Sequence, residues 1–329
     1  MNTLPEVRTS ERKLFRRCPQ AWWWAYRMGL RSTSEDRDAL WMGTGVHYAL
    51  AEWYLKGKRR GPHPAETFSS WAGNDLREIR ANYSDHDEEW YDEAKYIDAK
   101  DLGTAMLEEY INLYGLDPQW NILHIEHSFR TLIRDGDQQL AYFVGTFDGA
   151  VRDLDDGQVY LLEHKTAKQI NTTFLALDDQ AGGYLAVATA VLRKEGTLGP
   201  RERIAGIIYN YLRKSMPDER PVDADGMRLN NDGTVSKRQP PPAFVREVVE
   251  RGAEEPANQM RRLVDEVSIM QGMREGTIPV YKNTTWECTW CPFFVMCKLH
   301  ERGGDWETVA RSSYIQQDPY GPYHKSAAE

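Results

Sequence analysis

Long apolar runs are missing from this 329-residue sequence: nothing approaches the roughly 20 consecutive apolar residues of a membrane-spanning helix. The N-terminus, MNTLPEVRTSERKLFRRCP, is polar and lacks the apolar stretch of a secretory signal. These absences predict a soluble, cytoplasmic protein with no membrane partner. Positive charge is also in deficit. Lys plus Arg number 41 against 50 Asp plus Glu, a net charge of −9, which excludes a protein that coats nucleic acid by bulk electrostatics. Any such contact must be local. Candidate patches are Arg12, Lys13, Arg16 and Arg17, then Lys56, Lys58, Arg59 and Arg60, and later Arg213 with Lys214; the acidic run at 85–93 opposes them. No internal repeat and no GxxxxGK[ST] phosphate loop is present, so the sequence carries no recognisable nucleotide-driven motor.

What the chain does have is material for a core, with 41% hydrophobic residues and eleven Trp. Residues 9–30 read as helix, with Thr9 or Ser10 as cap and a kink or restart at Pro19. Further helices are expected over about 40–56, 97–114, 178–194 and 244–274, and strands over 122–133, 142–153, 159–166 and 203–214. That order implies an α/β fold: a mixed central sheet flanked by helices. The expected division is a helical region 1–118, a core 119–276 with a hairpin or loop insertion near 222–242, a cysteine segment 277–304 and a loosely ordered tail 305–329.

Chemistry concentrates between residues 145 and 168, GTFDGAVRDLDDGQVYLLEHKTAK. Alternate strand residues share a face, so Glu163 and Lys165 project together while His164 points away. A turn at Asp156-Gly157 sets Asp148 opposite Lys165; a turn centred on Asp155 and Asp156 sets it opposite Glu163. In both registers two carboxylates and an ammonium emerge together, a grouping able to hold a hard cation for phosphodiester hydrolysis. Asp148 and Glu163 are the candidate central ligands. His47 would add an imidazole from the helical region, and Glu126, on an earlier strand, is a further candidate ligand or base. Lys165 would orient the attacking water or stabilise the crowded phosphate. Because imidazole is softer than magnesium prefers, manganese should serve at least as well.

All four cysteines fall where a shared group would want them: Cys18 near the start, then Cys288, Cys291 and Cys297 in ECTWCPFFVMC. Reducing conditions disfavour disulfides, which ranks metal ligation first; the spacing itself leaves zinc and an iron-sulfur cluster open. The neighbouring Trp22, Trp23 and Trp24 offer rings for unpaired bases, although burial in the core is their commoner use.

Four short motifs occur in order: GTGVH ending at His47, GTFD ending at Asp148, Glu163-His164-Lys165-Thr166, and Gln180 to Tyr184. With the cysteines, they make residues from about Cys18 to Cys297 resemble the RecB-like branch of the PD-(D/E)xK nuclease superfamily, especially the CRISPR-associated RecB-like exonucleases and their phage relatives. The resemblance implies a restriction-endonuclease-like core and a metal-dependent DNA exonuclease preferring single strands or ends. It implies Mg2+ or Mn2+ held by His47, Asp148, Glu163 and the main-chain carbonyl of His164, with Gln180 and Tyr184 directed at the site or the nearby strand. It further implies a 4Fe-4S cluster on Cys18, Cys288, Cys291 and Cys297, with structural zinc as the alternative. Recombination, repair or CRISPR-adaptation partners in a bacterial or phage-infected cell belong to the same expectation. The rivals are an endo- or flap nuclease using the same site, and a non-catalytic DNA-end-binding protein.

Overall fold

Proline and strand pairing, more than helix periodicity, divide this chain. The computed structural model describes residues 4–32, 38–83 and 93–320; most of the acidic run, residues 85–92, and the end of the tail, 321–329, lie outside the described residues. A short strand β1 (Glu6–Val7) leads into α1 (Thr9–Arg17), whose cap is the extended Arg8, not Thr9 or Ser10. Cys18 is extended, and Pro19 restarts the chain as α2 (Pro19–Trp22), followed by a π-helical turn over Trp23–Arg27. The restart expected at Pro19 is present, the helical stretch expected over 9–30 is three pieces, and the break leaves Cys18 at a corner.

After β2 (Leu30–Ser32) come α3 (Asp38–Trp53), α4 (Pro64–Tyr83) and α5 (Glu93–Tyr114). Periodicity had indicated the first and third of these helices but not α4. The α3 and α4 helices approach closely at Gly45, where a Cβ would stand 2.2 Å from the Trp71 ring.

The sheet is built around a long hairpin of β3 (Trp120–Asp135) and β4 (Gln138–Asp153), then β5 (Val159–Ala167). Next come α6 (Asp179–Lys194), β6 (Ile204–Arg213), β7 (Phe244–Glu250) and α7 (Glu255–Glu275). β3 covers one edge of β4 along its length. The other edge is shared: β1 runs parallel beside Tyr142 and Phe143, and β5 runs antiparallel beside Gly149 to Arg152. β5 and β6 are parallel, joined by the α6 crossover, and β7 pairs antiparallel with β6, so the sheet is mixed. The helix expected over 244–274 is thus corrected. Its first part, FVREVVE, is β-branched and alternating, and β6 offers it an edge; helix begins only beyond Gly252, with Pro256 in the first turn.

Helices α3, α4 and α5 bury one face of the sheet around Phe68, Tyr110, Trp120 and Leu162; α1, α6 and α7 bury the other around Phe143, Phe147, Leu185 and Val267. A third cluster joins Ala21 and Trp24 to Phe293, which precedes α8 (Phe294–Glu301), to Met296 in α8 and to Ala310 in α9 (Trp306–Ser313). The tail is not loosely ordered where it is described. Trp306 packs on Trp24 with centroids 6.0 Å apart, and β8 (Tyr314–Gln316) pairs antiparallel with β2, pinning the two chain ends together. Of the three consecutive tryptophans, Trp22 and Trp24 are buried and Trp23 half-buried. Among the described residues, no helix is long and apolar enough to cross a membrane.

Candidate active site and cysteine cluster

The hairpin between β4 and β5 turns through Asp153 to Gln158, with the Asp153 N–H on the Gln158 carbonyl at 2.9 Å. Of the two possible registers this selects the turn centred on Asp155 and Asp156. Paired residues run from Arg152 with Val159 to Gly149 with Leu162, so the next pair along the ladder is Asp148 with Glu163. Backbone pairing stops there. Instead, Asp148 Oδ2 accepts the His164 N–H at 2.6 Å, and β5 continues bound only to β6. Across its other edge Asp148 stands opposite Glu126, because Ile125 pairs with Gly149 and His127 with Phe147. Asp148 is therefore flanked by a glutamate on each neighbouring strand.

The helical layer supplies the imidazole. His47, on α3, lies with Nδ1 3.3 Å from Asp148 Oδ1. One ligand atom each from His47, Glu126 and Asp148 lies within 4.8 Å of the others, spacing suited to one cation. Glu163 stands outside that trio. It is buried, and its Oε1 accepts from Lys165 Nζ at 3.2 Å and from Gln180 Nε2 at 2.9 Å. Lys165 also approaches Asp178 Oδ2 at 3.5 Å, and Asp178 caps α6 by accepting the Gln180 N–H. Asp178 was not among the sequence candidates; its position as the cap of the helix carrying Gln180 was the available signal.

Electrostatics follow from crowding acids. Burial, then the Asp148 charge, pushes Glu163 up to about 7 in spite of Lys165. Burial and Asp148 likewise push Glu126 up to about 7. Burial alone would lower His47, but Asp148, Glu163 and Glu126 outweigh it and raise the imidazole to about 9. Asp148 is held low against its own burial by His47 and by the hydrogen bond from His164. Lys165 is raised by Glu163 and Asp178 against its burial, so it is an ammonium and a donor, not a proton acceptor. Three carboxyls meeting two cations leave an excess of acid, which a divalent cation would relieve.

His164 turns its ring the other way, into the interior. Burial lowers the imidazole to about 3, so the ring is neutral. Its Nδ1 accepts from Asn210 Nδ2 at 2.8 Å, and the ring stacks on Tyr54 at 6.0 Å. Asn210 belongs to a buried polar network with Tyr110, Arg246 and Asp117 that fixes β5 from behind.

On the other side of β5, His47, Tyr48, Glu126, Glu163, Lys165, Gln180 and Lys214 line an open cleft of about 770 Å3. That is room for a ligand larger than a few waters. Tyr184 is not there. Although it follows Gln180 by one turn, its ring is buried among Phe129, Phe143 and Phe147, in space that Gly145 leaves open: a Cβ on Gly145 would lie 2.9 Å from the ring. The first basic patch is also partly structural. Arg12 is fully buried and bonds Glu266 at 2.6 Å, tying α1 to α7.

Cys18, Cys288, Cys291 and Cys297 line one cavity together with Ala21, Trp24 and Phe294. All four are free thiols and half-buried. Burial raises Cys291 and Cys297, and Cys18 and Cys288 are close enough to raise both further as thiolates form. Four thiols converging on one partly apolar cavity suit a group that accepts four thiolates. The corner at Cys18 and the short helical turn Trp286–Trp290 make the convergence possible.

No curated protein matches this sequence. A solved structure from Eubacterium rectale, named as a candidate exonuclease, is similar over 86% of each chain at 10% identity with a TM-score of 0.45, a likeness too slight to bear on function. The family model of the PD-(D/E)XK nuclease superfamily matches residues 9–298, nearly the whole described chain, and the protein belongs to that superfamily.

Proposed function

We propose that this nuclease is a divalent-cation-dependent DNA exonuclease acting on single strands or strand ends, of the RecB-like branch that carries an iron-sulfur cluster. The observation that supports the hydrolytic reading is Asp148 flanked by Glu126 and Glu163, with the His47 imidazole 3.3 Å from it and the Lys165 ammonium bound to Glu163. His47, Glu126 and Asp148 would hold the cation, with Glu163 and the His164 carbonyl as further ligands. When bound, such a cation neutralises charge on the scissile phosphate and acidifies water. Lys165 offers a fixed positive charge to the phosphate oxygens or the attacking water. Gln180 holds the Glu163 carboxylate through its amide and so keeps that group aimed into the cleft.

Exonuclease mode and single-strand preference rest on the motif resemblance, as do recombination, repair or CRISPR-adaptation partners. The four cysteines fit a 4Fe-4S cluster, with zinc as the alternative occupant, clasping both ends of the chain. Oligonucleotides labelled at one terminus or the other, digested with manganese or magnesium, test the activity. Stepwise release from one end, supported by manganese at least as well as magnesium and lost in Lys165→Ala, is expected; internal cuts first, or cleavage unchanged in Lys165→Ala, would overturn the reading.

A further inference from the structure

A second group of ligating side chains lies away from the cleft. His124 and His127 on β3 and Glu195 at the C-terminal end of α6 bring one ligand atom each within 4.8 Å of the others. His124 Nε2 lies 2.7 Å from Thr197 Oγ1, and His127 Nε2 lies 3.0 Å from Glu195 Oε2. The two rings stand 4.3 Å apart.

That proximity is unusual for a strand, because residues three apart normally face opposite sides of a sheet. Two irregularities remove the alternation. The register slips between Ile122 and His124, and Glu126 adopts a left-handed backbone with φ +44°. As a result Glu126 reaches the cleft while the histidines on either side of Ile125 and Glu126 gather together, His127 against the Phe147 ring on the α6 side. A left-handed, non-glycine residue in a strand persists only where its surroundings hold it. Sequence reading had singled out Glu126 but not the flanking HIEH pattern.

We propose that His124, His127 and Glu195 form a second metal site, for a divalent transition ion of the zinc class, that braces the irregular stretch of β3 against the end of α6. Two imidazoles and one carboxylate are a donor set that zinc, nickel or copper accepts and magnesium does not favour, in contrast to the oxygen-rich cleft. The three donors come from two elements, so an ion there ties β3 to the same helix whose other end carries Asp178 and Gln180. Thr197, on the loop beyond that helix, closes the side of the group.

Equilibrium dialysis of the full chain, with the cysteine group left as purified, against zinc in excess magnesium tests the site. Wild type, Asp148→Asn, His124→Gln and Glu195→Gln are compared for zinc bound per chain and for dissociation constant. The expected result is one zinc that Asp148→Asn retains and that both other variants lose or bind at least tenfold more weakly. Glu195 is exposed, so its substitution keeps the test valid should His124→Gln disturb folding. Zinc binding equal to wild type in Glu195→Gln and His124→Gln, or lost only in Asp148→Asn, would overturn the proposal while leaving the cleft reading intact.

Discussion

Replacing Arg246 with Met tests whether the buried network behind the cleft is structural. The guanidinium donates to Asp117 Oδ1 at 2.5 Å and Oδ2 at 2.9 Å, to the Tyr110 hydroxyl at 2.6 Å and to Asn210 Oδ1 at 3.2 Å. The Asp117 side chain is 2% exposed and that of Arg246 13%. Removing the cation leaves a carboxylate in the interior with Tyr54 as a neutral donor, and breaking such a pair from one side costs about 3–5 kcal/mol. An unfolding entropy of roughly 2.1 cal/mol/K per residue over 329 residues gives roughly 0.7 kcal/mol/K, so the melting temperature should fall by roughly 4–7 °C. The double variant Asp117→Asn with Arg246→Met removes both charges and should recover at least half of that loss. Calorimetry of the two single variants and the double variant measures the cycle. A single-variant loss under about 1 kcal/mol, or a double variant no better than the sum of the singles, would refute the reasoning. Because Asn210 bonds the His164 ring and the His164 N–H bonds Asp148, Arg246→Met should also slow cleavage although it touches no cleft group.

Lys165→Ala should keep the fold and the group proposed on the cysteines while cleavage falls by about two to three orders of magnitude, the usual loss for one electrostatic stabiliser; single-turnover assays decide it. In metal-free protein Glu163, about 7 folded against an ordinary 4.5, binds its proton more tightly in the folded state, so stability should fall as pH rises from about 4.5 to 7. His47, about 9 against 6.5, stabilises below 6.5 and loses that contribution as pH rises through 9, extending the decline. The neutral His164 ring, about 3 against 6.5, adds stability as pH rises to 6.5 and opposes the decline below that value, so metal-free melting curves should slope downward between about pH 6.5 and 9 and flatten with saturating manganese; a metal-free curve rising over that interval would contradict the cluster assignment. Cys291→Ala should lose the cluster or zinc ion proposed on the four cysteines and lower the melting temperature, read by visible absorbance, metal content and calorimetry; unchanged absorbance and metal content would exclude that group. Glu126→Gln should weaken manganese binding measurably, whereas Tyr184→Phe should leave it unaltered, because the former borders Asp148 and the latter ring lies in the core.

Alternation along a strand is local, so the sequence alone determined that Asp148, Glu163 and Lys165 would share a face and that His164 would oppose them. The motif order was sufficient for the superfamily, and the cysteine spacing for an expectation that the four thiols meet, as they do around one cavity. Asp-Gly at 156 and 157 announced a turn but left two registers, because choosing between them needs the hydrogen bonds of Asp153 and Gln158. Helical spacing likewise placed Gln180 and Tyr184 on related positions, yet one end of that face meets the cleft and the other the core. Phe244–Glu250 carried strand residues beside a strong helix, and only the free edge of β6 decided where one ended and the other began. Glu126 entered the acid cluster through a left-handed turn of backbone that no periodicity encodes, and the pairing of β2 with β8 ordered a tail whose composition looked loose. Side-chain direction within one element is written in its own residues; which elements meet, and what a side chain finds there, depends on contacts between residues far apart in the chain.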